Sequence, residues 1–291
     1  MEKERKFPLL LSGFWLKIIA LFTMTIDHIG FLMPYNTVAI VFRHIGRLAL
    51  PLFCFMIAEG AIHTRNFKKY ALRLGIMASV ISLTMIVVEY GRFGFSLRDQ
   101  GIIFVDLLLG ATAIYCLRQK KWYLKLLSIL PIIFGVLSFI ASSLENCGCY
   151  GKVLWFPFFI RSQYGWFAIL LIVLFYLAHY LTTLFIKYHS QLSGMKEENY
   201  RDTPLERNVL NIFSVIVLCA SSGLFYVCGE IMPAQYVFWL NNVQLFAMFS
   251  GVFILLYNGQ RGYNKKWFQY GSYLYYPVHM LLLYLIFSLI N

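Results

Sequence analysis

The side chains able to do chemistry in this sequence stand inside apolar runs. Asp27 and His28 are adjacent, Arg43 and Arg47 follow four residues apart, and His279 lies in the last run. Imidazole can act as a general base, a guanidinium can steady a developing oxyanion, and a carboxylate can anchor a cation. A charge at the centre of a membrane costs at least ~2.5–3.5 kcal/mol, so ionisable groups in such runs are functional candidates by default. Each also has a structural reading. His279 or His44 alone reads as a satisfied core histidine, Lys17 as a side chain reaching to lipid headgroups, and Arg43 and Arg47 as counter-ions for Asp27, Glu59 or Asp106.

Spacing sorts these candidates. Lys17 and His28 are eleven residues apart, which at ~100° per residue returns to within about 20° of one helix face, ~16 Å along the axis. His279 follows Lys266 by thirteen residues, about 20 Å of helix, and Arg47 precedes Ala61 by fourteen, about 21 Å. Asp106 and Asn241 come out at the same depth. Five polar groups from five spans therefore predict one buried polar chamber. Neighbouring residues point ~100° apart, so Asp27 and His28 cannot share one contact. Asp27 is assigned to Arg43 or Arg47, which leaves His28 for the chamber. Asn241, Asn242 and Gln244 read as interhelical hydrogen bonding rather than ligand chemistry.

The elements that carry these groups are membrane helices. Hydrophobic residues make up 60% of the 291 and charged ones 13%, against roughly half and a quarter in a soluble domain. Apolar runs long enough to cross ~30 Å of hydrocarbon fall at 14–34, 38–62, 70–90, 101–118, 122–143, 164–187, 208–228, 236–257 and 268–290. The expected fold is all-α, a polytopic transmembrane bundle of about nine spans (eight to ten) in one domain over 1–291. The segment 153–160 is an alternative re-entrant turn, and His189 to Arg207 reads as the one sizeable polar loop. Lys17, Asp27 and His28 mark the first run as a mature span rather than a signal peptide. The strongly basic segments, from Lys3–Lys6 to Arg261–Lys266, all fall on one side of nine spans, so the N-terminus is expected in the cytoplasm and the C-terminus outside. The net charge of +12 fits loops beside anionic lipid better than nucleic-acid binding. Cys54, Cys116, Cys219 and Cys228 read as apolar filler; Cys147 and Cys149 carry no zinc-site pattern, and no metal is expected.

Three stretches carry a family resemblance. Leu16-Lys-Ile-Ile-Ala-Leu-Phe-Thr-Met-Thr-Ile-Asp-His-Ile-Gly30 resembles the opening of the TraX family of membrane proteins. So does Arg43-His-Ile-Gly-Arg-Leu-Ala-Leu-Pro-Leu-Phe-Cys-Phe-Met-Ile-Ala-Glu-Gly60, with His63-Thr-Arg-Asn66 and Lys69-Tyr-Ala-Leu-Arg-Leu74 after it. Tyr257-Asn-Gly-Gln-Arg-Gly262 and Tyr275-Tyr-Pro-Val-His279 complete the likeness, while 111–232 is similar in hydropathy alone. The resemblance implies acyl transfer: the family's named member acetylates the N-terminus of conjugative pilin, and the family looks like a relative of acyltransferase family three. That wider group's first-span signature, a basic residue and a histidine with ten residues between them, falls on Lys17 and His28.

The resemblance thus implies an acyltransferase of the bacterial cytoplasmic membrane. It would use acetyl-CoA or another acyl-CoA as co-substrate and a peptide, glycan or lipid acceptor. His28 would be the base, with Asp27, Arg47 and His279 completing the catalytic set. Lys17, Arg43, Arg65, Lys69, Arg73, Asn258 and Arg261 would face the donor phosphates. Membrane lipids are expected partners, self-association stays open, and nucleic acid is excluded. The competing readings are a proton-coupled transporter and a membrane scaffold or assembly factor.

Overall fold

The computed structural model describes residues 10–91, 101–146, 153, 155–201, 203–231 and 241–290. The chain is all-helical over these residues. In chain order the helices are α1 (Gly13–Leu32), α2 (Thr37–Gly46), α3 (Ala49–His63), α4 (Phe67–Tyr90), α5 (Ile103–Leu117), α6 (Trp122–Leu126) and α7 (Ile129–Asn146). There follow α8 (Trp166–Ser193), α9 (Pro204–Ile231), α10 (Asn241–Leu245), α11 (Ser250–Leu255) and α12 (Lys266–Ile290). Among the described residues, seven helical stretches are long and apolar enough to cross a membrane: Gly13–Leu32, Thr37–His63, Phe67–Tyr90, Trp122–Glu145, Trp166–Ser193, Pro204–Gly229 and Lys266–Leu289. The runs expected at 101–118 and 236–257 form the shorter apolar helices Ile103–Leu117 and Val243–Leu255.

Local sequence explains the helix starts. Asn36 caps α2 by accepting from Ala39 N at 2.8 Å, and Asn66 caps α4 by accepting from Lys69 N at 3.0 Å. Pro204 opens α9, where its missing N–H has no intrahelical acceptor to lose, and Pro51 sits in the first turn of α3 for the same reason. One expectation is corrected. Helix α8 runs on to Ser193 and α9 begins at Pro204, so the polar loop is shorter than His189 to Arg207; its centre is a 3-10 turn, Glu197–Tyr200. Lys187 and His189 lie on a helix whose buried face continues past them, since Ile186 and Ser190 are both buried. Within 153–160 the described residues include a short 3-10 turn, Phe158–Ile160.

By contacts the chain forms two compact units. The first comprises Met1–Met56, Leu174–Gly223 and Val243–Asn291; the second comprises Ile57–Val173 and Leu224–Asn242. In the first unit, α1 and α2 pack antiparallel through two glycines. A Cβ on Gly30 would come within 2.7 Å of Phe42 Cβ, and one on Gly46 would overlap the Asp27 side chain. Such small residues let helix backbones approach closely where no hydrophobic effect drives association. Helix α12 runs parallel to α1, since Lys17, Thr25 and His28 meet Phe268, Tyr275 and His279 in rising order. Phe55 anchors the apolar interior, edge-on to Phe175 and Tyr257 at 5.4 and 5.5 Å between centroids.

The second unit packs α4 and α7 against α5. Gly110 of α5 and Gly135 of α7 lie against Ile172 and Ile169 of α8. Its interior holds an ion pair, Arg161 with Glu145, whose side chains are 4% and 3% exposed. Arg161 also donates to the Phe156 carbonyl through Nε and Nη2, at 3.1 and 2.9 Å. Those extra bonds matter because a buried pair offsets its desolvation only when its remaining protons are satisfied.

Candidate functional site

The groups singled out on α1 point two ways, as their ~100° separation requires. Asp27 faces α2. Its Oδ2 accepts from Arg43 Nη1 at 2.8 Å and its Oδ1 from Arg47 Nη2 at 2.6 Å. Arg47 is only 4% exposed, and its Nε donates to the Arg43 carbonyl at 3.3 Å. Arg43 additionally lies over the Phe31 ring, 5.4 Å from its centroid. One carboxylate thus holds two guanidiniums that a single helical turn sets side by side. Both Asp27 oxygens are engaged, so this group serves as an anchor between helices.

His28 faces α12. Its Nδ1 lies 2.7 Å from His279 Nε2, and His279 Nδ1 lies 2.8 Å from the Tyr275 carbonyl one turn earlier. A carbonyl can only accept, so for two neutral rings the protons are assigned in order. His279 donates through Nδ1, its Nε2 accepts from His28 Nδ1–H, and Nε2 of His28 is left with its lone pair. Both rings are buried. The side chain of Tyr275 bonds Thr25 across the same helix pair, oxygen to oxygen at 2.7 Å. The geometry can hold one imidazole in a single tautomer and aim an acceptor nitrogen.

Lys17 lies on the same face of α1, with Nζ 5.5 Å from the centroid of Phe268. Close by in sequence, the start of α1 is tied to the 256–261 stretch. Gly13 N and Phe14 N donate to the carbonyls of Gln260 and Arg261, and Asn258 N donates to Leu11 O. Asn258 has a further structural duty, its Oδ1 accepting from Gln260 N at 2.9 Å. Gly259 and Gly262 hold φ of 76° and 66°, which L side chains rarely adopt, so this loop's tight course needs both. Arg261 is exposed.

The remaining expected residues stand elsewhere. Arg65, Lys69 and Arg73 are exposed residues of the second unit. Asp106 also belongs to the second unit, where it accepts from Ser162 Oγ and Gln163 N, both at 2.7 Å, and from Tyr164 N at 3.4 Å. It therefore closes the turn before α8 and is no counter-ion for Arg43 or Arg47. Glu59 stands 4.0 Å from His63. The side chains of Asn241 and Asn242, with Cys147 and Cys149, lie outside the described residues. Cys54, Cys116, Cys219 and Cys228 form no disulfide among the described residues. Among the described residues no group of three or more His, Cys, Asp or Glu could hold a metal. The partners that spacing did not reveal are Tyr275, Thr25, Ser162 and the Glu145–Arg161 pair. Two opposite charges flanking one loop of so apolar a chain were the available signal for the last.

Among the described residues, seven long apolar helical stretches and a set of buried charged and imidazole pairs define an all-helical arrangement compatible with a polytopic membrane bundle. A family model described as TraX protein matches residues 12–195, and the chain belongs to that family. It is also similar to a curated relative, the probable fimbrial assembly protein FimC, serogroup H1, of Dichelobacter nodosus. The two are 36% identical over 101 residues, 32% of this chain and 41% of that protein. The chain thus aligns with about two fifths of that relative's length. No solved structure matches. These findings overturn the acyltransferase reading. The curated relative is described by fimbrial assembly rather than by acyl transfer, which fits the competing assembly-factor reading.

Proposed function

We propose that the protein is an integral membrane factor in the assembly of a surface filament. The observation that carries this is the likeness of this TraX-family chain to a probable fimbrial assembly protein. The geometry supports a scaffold. The two Asp27 ion pairs and the His28–His279 bond fasten α1 to helices on two sides, and the Arg47 pair and the imidazole bond are buried. Helix α12 leaves most of its length unburied, with only 6% of its apolar window inside the protein, so a long lateral face is open to lipid and to other membrane helices. In this reading the chain spans a bacterial cytoplasmic membrane nine times with its N-terminus inside, as the one-sided basic loops favour.

The test is deletion in the native cell. Surface filaments should disappear while the filament subunit is still made and still enters the membrane, and the intact chain supplied in trans should restore them. Filaments of normal number and length after deletion would overturn the proposal.

A further inference from the structure

Polar side chains in the first unit mostly satisfy themselves one turn back along their own helix. The hydroxyls of Thr25, Ser214 and Ser250 donate to the carbonyls of Leu21, Leu210 and Ala247. The pair formed by α9 with the α10–α11 segment departs from this habit. Asn208 Oδ1, Asn211 Oδ1, Ser222 Oγ and Gln244 Nε2 are buried and have no hydrogen-bond partner among the described residues. Asn211, Ser222 and Gln244 are 0%, 1% and 3% exposed. The one other such atom among the described residues, His189 Nδ1, is on α8.

Two of these atoms share a level. Asn211 Nδ2 donates to the carbonyls of Leu255 and Tyr257, and Gly251 sits against Val215, so α9 and α11 run antiparallel with 211 beside 255 and 215 beside 251. Ser222 lies seven residues beyond Val215, two turns along the same face of α9. Gln244 lies seven residues before Gly251. The intervening 3-10 turn rises ~2.0 Å per residue instead of ~1.5 Å, which shifts the match by only about 2 Å. A hydroxyl and a carboxamide without partners therefore lie at one level of the α9 and α10–α11 pair.

The backbone marks the same place. Between Gln244 and Gly251 the α-helix ends at Leu245, passes through a 3-10 turn at Phe246–Phe249, and resumes at Ser250. At membrane depth, interrupted helices are tolerated where they are buried in protein or line a water-filled cavity. Ser222, Ala247, Ser250 and Gly251 keep the side chains beside the break small.

We infer that the seam between α9 and the α10–α11 segment is a hydrated polar site, with water bound at the level of Ser222 and Gln244. Water at this level can accept from the carboxamide N–H and donate to the serine oxygen, the bond that each atom otherwise lacks. The inference rests on the membrane-spanning reading of α9, and the experiment separates the two.

A cysteine-free full-length chain is the background, carrying Ser222→Cys, Gln244→Cys or the native Cys219 as its single thiol, in native membranes. Cys219 is exposed on α9 and faces lipid in this reading. A small hydrophilic methanethiosulfonate should modify the thiols of the Ser222→Cys and Gln244→Cys chains about tenfold faster than Cys219, because the reactive thiolate forms where water reaches. Ser222→Cys changes one atom, so it carries the test even if the Gln244 variant folds poorly on size exclusion. If no thiol reacts, the seam is dry and the inference falls while the membrane reading stands. If Cys219 reacts as fast as the others, α9 is not in lipid and both fall.

Discussion

His28 Nδ1 lies 2.7 Å from His279 Nε2, two rings 251 residues apart in the chain joined by one buried hydrogen bond. The bond needs an acceptor at position 279. His279→Phe keeps a ring of similar bulk but leaves His28 N–H unpaired, a loss of about 1–3 kcal/mol. His279→Gln still offers a carbonyl oxygen and should lose less. Thermal unfolding in detergent, followed by size exclusion, gives the order native, then Gln, then Phe. Equal midpoints for the two variants would mean that the bond contributes nothing.

The Asp27 anchor is asymmetric. Arg47 is 4% exposed and Arg43 23%, so removing the shared carboxylate takes the Asp27 ion pair from one buried guanidinium and from one that water can still reach. Breaking a buried pair costs about 3–5 kcal/mol, whereas a partly exposed one is worth much less. Asp27→Ala should therefore lower folded yield severely. Arg47→Ala, which leaves the carboxylate with Arg43, should be intermediate, and Arg43→Ala mildest. Folded fraction measured by fluorescence-detected size exclusion would reveal that order, and a greater loss for Arg43→Ala than for Arg47→Ala would refute it.

Asp106 makes a comparable test in the second unit. Its two oxygens accept from Ser162 Oγ and from the backbone N–H groups of Gln163 and Tyr164. Asp106→Asn replaces one acceptor with a donor that faces another donor, and should cost about 2–3 kcal/mol as charge-assisted bonds are lost. Ser162→Ala removes one bond and should cost less. Proteolysis of the segment before α8 in purified protein should speed up in that order. Cleavage unchanged in Asp106→Asn would show that the carboxylate is not what holds the turn.

The proposed orientation rests on the basic loops. A single cysteine at residue 199 should resist an impermeant thiol reagent added to intact cells and react once the cells are opened, while Cys147 as the single thiol should react from outside. The reverse pattern would invert the bundle.

Hydropathy and charge, which act residue by residue, were enough for the all-helical class, the positions of the apolar runs and the anchor of Asp27 on α2. Partners sixteen and twenty residues away across one short connection leave few alternatives. The helix of α8 past Lys187 was not legible, because whether a polar residue ends a span depends on what its neighbours bury. Tertiary structure alone decided which imidazole His28 meets, that Thr25 bonds Tyr275, and that Asp106 takes serine and backbone N–H donors instead of arginine. Helical periodicity sets the direction in which a side chain points along its own axis, but not which distant helix packs there. Equal depth in a membrane is no evidence of contact, since groups at one level can lie on any side of a bundle. Function followed the same division. The Lys17–His28 stripe is real in the fold, where Phe268 and His279 receive its two ends. A stripe of that spacing is equally what two parallel helices need in order to pack, so it could not by itself distinguish a catalyst from an assembly factor.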